Sequence, residues 1–148
     1  MSTRAQFLAT GEAALGKYNY QARHYLEDLQ GFTSGTGENL LTIPAGAVVR
    51  EVLVKTITAL AGAGPLTAAT GQIGVTGTLE KYITALNWDL FAAGDTYVLW
   101  DETAPDLFTT ANLMIVEYTL TGGTCAQLTA GEVIVFADMV NINDLFRA

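Results

Sequence analysis

The chain has 148 residues, half of them hydrophobic and 15% charged, and fifteen acids against seven Lys and Arg give a formal net charge of −8. That length suits one domain, and the hydrophobic content excludes disorder for the body of the chain. The cations are scattered singly, and residues 85–148 hold nine acids and Arg147 alone, which argues against nucleic acid and anionic membrane as partners.

From Met1 to Gly37 the sequence lacks long β-branched runs and closes in Thr33-Ser34-Gly35-Thr36-Gly37, the composition of a hinge. Charges at Arg4, Glu12, Lys17 and Arg23 interrupt any apolar h-region, so no signal peptide is expected and synthesis is expected in a cytoplasm. A short helical turn is predicted over residues 20–29, too short to be stable alone. Phe7, Tyr18, Tyr20, Tyr25 and Phe32 punctuate the segment at intervals that suit a chain ordering on a neighbour. These observations predict an N-terminal arm over residues 1–37, with those five aromatics as partner-binding residues, followed by a core domain over residues 38–148.

Beyond Leu40, short β-branched and aromatic runs alternate with Gly, Pro, Asn and Asp, the punctuation of an all-β sandwich or jelly roll. Strands are predicted near 40–43, 47–58, 72–76, 79–86, 96–100, 111–120 and 131–140, with Pro44-Ala45-Gly46 as a turn. Longer connections are expected over residues 60–71 and 88–95. Strands 48–57, 111–116 and 133–136 are apolar in both phases of the alternation, whereas a strand packed on one face needs only one. The surplus predicts either cover by other segments of the chain or an interface with another subunit.

Chemistry finds little to stand on. His24 is the only histidine and Cys125 the only cysteine, so neither a histidine-based metal centre nor an intrachain disulfide is expected. Gly71-x-x-Gly74-x-x-Gly77 fits neither the dinucleotide nor the phosphate-loop spacing, and Gly16-Lys17 is followed by Tyr18 where a phosphate loop needs Ser or Thr. Asp95, Asp101, Glu102 and Asp106 could supply oxygens to a hard cation but lack calcium-loop spacing, and a solvated acidic loop is the simpler expectation. Trp88 and Trp100 could make a sugar-stacking platform, against the commoner fate of strand aromatics as core. No cofactor and no enzymatic activity are expected.

The stretch Leu41-Thr-Ile-Pro-Ala-Gly-Ala-Val-Val-Arg-Glu-Val-Leu-Val-Lys-Thr, the Gly/Ala/Thr-rich run from Leu66 to Gly77 and the strand Leu113-Met-Ile-Val-Glu-Tyr resemble the head decoration, or cement, proteins of tailed bacteriophages. The resemblance spans roughly residues 40–120. It implies a β-sandwich or jelly-roll core, a homotrimer, a place on the outer surface of the virion head, and the major capsid protein as partner. A tail or fibre-base component, a capsid-anchored adhesin and a carbohydrate-binding β-sandwich module are the alternative functions.

Overall fold

A computed structural model describes residues 4–7, 18–92 and 96–142, with the side chains of 4–7 and 101–105 outside that description. In chain order the elements are β1 (Arg4–Phe7), β2 (Tyr20–His24), α1 (Leu26–Gln30), β3 (Gly37–Ile43), β4 (Ala47–Gly62), β5 (Ala68–Val75), β6 (Thr78–Ile83), β7 (Thr96–Leu107), β8 (Asn112–Thr121), a 3₁₀ turn (Cys125–Gln127) and β9 (Leu128–Asn141). They form an all-β sandwich of a five-stranded sheet, β1-β2-β9-β4-β7, and a four-stranded sheet, β3-β8-β5-β6. Every paired strand is antiparallel.

The core is built from alternation. In β8, Met114, Val116, Tyr118 and Leu120 turn inward, while Leu113 and Ile115 stay half-buried on the other side. β4 contributes Ala47 and Val49, and then Val52, Val54 and Thr56. The inward set moves from odd to even positions because the ladder shifts register between Val49 and Glu51 against both β7 and β9. One extra residue in a strand reverses the facing of everything beyond it. Part of the two-phase apolar pattern in 48–57 therefore records this bulge.

The segment read as an arm ending at Gly37 is, over its described residues 18–37, part of the sandwich. β2 lies beside β9 with Tyr20 opposite Ala137 and His24 opposite Val133. Tyr20, Ala22, His24, Leu29 and Phe32 are all buried. The physical reason is a period-two pattern, Tyr20-x-Ala22-x-His24, whose inward side chains are neither β-branched nor uniformly apolar and gain their burial only by pairing with β9. The predicted helical turn is confined to α1, where the Asp28 carboxylate accepts the Tyr25 backbone N–H at 2.9 Å.

Turns and close approaches account for the glycines. Ala47 N–H returns to the Pro44 carbonyl at 3.1 Å with Gly46 at φ 86°, so the predicted turn forms. At Gly71 a Cβ would stand 2.4 Å from the Trp88 ring, and at Gly74 it would stand 2.1 Å from the Thr78 carbonyl oxygen. The spacing 71-74-77 thus belongs to strand packing and to the β5–β6 turn, not to a phosphate loop.

Candidate interaction surface

The inner face of the five-stranded sheet is closed. Val49, Val52, Val54, Val133, Val135 and Ala137 are fully inaccessible, and Trp88, also fully buried, donates its indole N–H to Thr56 Oγ1 at 3.0 Å. His24 belongs to this interior: its Nδ1 lies 2.7 Å from the Tyr118 hydroxyl in a hydrogen bond, and its ring meets Phe32 edge-on at 4.9 Å between centroids. Its Nε2 is buried without a hydrogen-bond partner. Burial pulls the imidazole pKa down to about 4, with the Asp28 charge acting weakly in the opposite sense, so His24 is neutral and structural. Burial likewise raises the Tyr118 hydroxyl and the Cys125 thiol; Cys125 is a small buried thiol.

The outer face of the same sheet is different. Registers across β9, β4 and β7 place side chains in rows: Val140–Val48–Leu107, Phe136–Leu53–Leu99 and Ile134–Lys55–Tyr97, with Asp138 beside Glu51. Tyr97 is 59% exposed, Leu99 53% and Leu107 48%. With Leu86 they are the large apolar side chains left in solvent among the described residues, and three of these four sit on the single edge strand β7. Phe136 and Leu53 are half-buried beside them, and Tyr18 packs on Phe136 at 5.6 Å between ring centroids. Lys55 stands 4.8 Å above the Tyr97 ring, a cation–π contact that leaves the ring's other side open. Contiguous apolar exposure of this kind marks interaction surfaces on soluble proteins.

Charge is set into the face in one band. Arg50 bonds Asp138 at 2.9 Å, and Glu51 and Asp138 are both nearly buried. Further along, Arg23 holds Glu132 at 2.9 Å and lies 5.0 Å over the Tyr25 ring. Tyr25, Leu26, Glu27, Gln30, Thr58, Gly131 and Glu132 line a shallow depression of about 500 Å³ beside α1.

The five aromatics of the sequence reading divide. Tyr20 and Phe32 are core residues, Tyr20 donating its hydroxyl to the Leu40 carbonyl at 2.7 Å. Tyr18 and Tyr25 stay half-buried, Tyr18 on the outer face and Tyr25 beside α1. Phe7 sits opposite Tyr20 in the β1–β2 ladder, and its side chain lies outside the described residues. Tyr97, Leu99 and Leu107 were not singled out in sequence; the signal was there in Thr96-Tyr-Val-Leu-Trp100, also apolar in both phases.

Of the acidic candidates, Asp106 accepts the Tyr82 hydroxyl at 3.0 Å and pairs with Lys81 at 3.3 Å. Asp95 and the side chains of Asp101 and Glu102 fall outside the described residues. Among the described residues no group of three or more His, Cys, Asp or Glu could hold a metal ion. The tryptophan platform does not form: Trp88 is sealed in the core, and Trp100 meets Tyr82 at 4.6 Å between centroids, ring edge to face. No described helix is long and apolar enough to cross a membrane.

The class these features define is an antiparallel β-sandwich with one sealed and one open sheet face. A solved structure described as "Cyanophage Pam1 capsid asymmetric unit" contains a chain of similar fold, at TM-score 0.50 and 17% identity over 73% of this chain and 73% of that one. At that identity the likeness is one of fold, and the fold is one found in a phage capsid. No protein-family model and no curated protein matches the sequence.

Proposed function

We propose that this chain is a phage virion structural protein, specifically a head decoration protein that binds the outer surface of the capsid and stabilises contacts between capsomers. The single observation that carries this reading is the open face of the five-stranded sheet, where Tyr97, Leu99 and Leu107 stand exposed in rows with Phe136, Leu53 and Val48. The fold's occurrence in a phage capsid supports the setting. In this reading the face, with Tyr18 at its margin, meets the major capsid protein, and a homotrimer presents three copies of it around a junction of capsomers. Apolar burial contributes about 25 cal/mol per Å² before association costs, and three linked faces add their contacts by multivalency.

The test is co-sedimentation with empty heads of the phage that encodes the chain. Leu99→Lys and Tyr97→Lys change exposed side chains and leave the core intact, so folding should persist while particle binding falls at least about tenfold, the loss expected when a charge enters an apolar contact. Full-strength decoration by both variants would overturn the assignment of the face. Light scattering of the purified chain checks the trimer.

A further inference from the structure

No further inference is drawn: the strongest candidate, the shallow depression beside α1 between Tyr25, Gln30, Thr58 and Glu132, carries nothing because nothing in the structure shows what covers it.

Discussion

The two faces of the five-stranded sheet are made from the same residue types and have opposite fates. Val54 and Val135 on one side are fully inaccessible, whereas Leu53 and Phe136, one residue away on the same strands, are only half covered and their row ends in the exposed Leu99. Apolar composition makes a strand willing to be buried on either side. What decides is whether the chain supplies a second layer, and here β3, β5, β6 and β8 cover the inner face alone. The difference teaches that an excess of apolar alternation in a sequence counts surfaces to be covered without saying by whom.

The hardest way to break the comparison is to remove part of the inner layer's frame. Deleting residues 1–36 takes away β2, α1 and the buried Tyr20, His24, Leu29 and Phe32, so the truncated chain is expected to be unfolded or insoluble rather than a stable core. Circular dichroism and solubility check it, and a cooperative melt near that of the full chain would show that the sandwich closes without its first described strands.

Charge sharpens the contrast next, since the outer face holds Arg23, Lys55 and Arg50 while the inner face holds a neutral imidazole. The His24 pKa of about 4 lies below its ordinary value of 6.5, so between those values the unfolded chain binds the proton that the folded chain refuses. Stability is therefore full above pH 6.5 and falls as pH drops toward 4, by about 3 kcal/mol in all from this residue. Denaturant titrations at a series of pH values should show a shallower acid slope in His24→Gln than in the parent. Identical slopes would mean that His24 is not sealed from solvent.

The smallest effect is the most direct comparison, made one residue apart on β4. Val54→Ala should cost about 2 kcal/mol through lost burial and the cavity left behind, whereas Leu53→Ala, although it removes more atoms, should cost less than about 1 kcal/mol. Chemical denaturation of the two variants decides it. A larger loss at Leu53 would mean that something covers the outer face in the isolated chain.

Much of this architecture was legible in sequence wherever period-two alternation was strong. The predicted strands at 47–58, 96–100, 111–120 and 131–140 fall on β4, β7, β8 and β9 to within a residue, while 79–86 covers most of β6 but runs past its end at Ile83 into the following turn. β2 escaped because Ala22 and His24 carry no β-branched signature and its Arg23 reads as surface; long-range pairing with β9, invisible to local pattern, makes it a strand. The same blindness makes Tyr20 and Phe32 read as part of an arm. Tyr20 and Phe32 are sticky for their own core, and nothing in their local spacing distinguishes that from stickiness for a neighbour. The open outer face was legible only as a surplus, since the bulge at Arg50 scrambles the phase by which Val48 and Val49 would be sorted in from out.

The unequal burial of the two tryptophans has an optical consequence. Trp88 lies in a dry aromatic interior with its indole N–H held by Thr56, and Trp100 is partly open to solvent on the edge strand beside Tyr82. Indole emission shifts to longer wavelength as the ring's surroundings become polar and mobile, so the native spectrum is the sum of a blue component from the core and a redder one from the edge. Unfolding moves the blue component. A partner that docks on β7 and leaves the core untouched moves the red one, and the chain thereby carries a label-free signal that separates loss of fold from occupation of its edge.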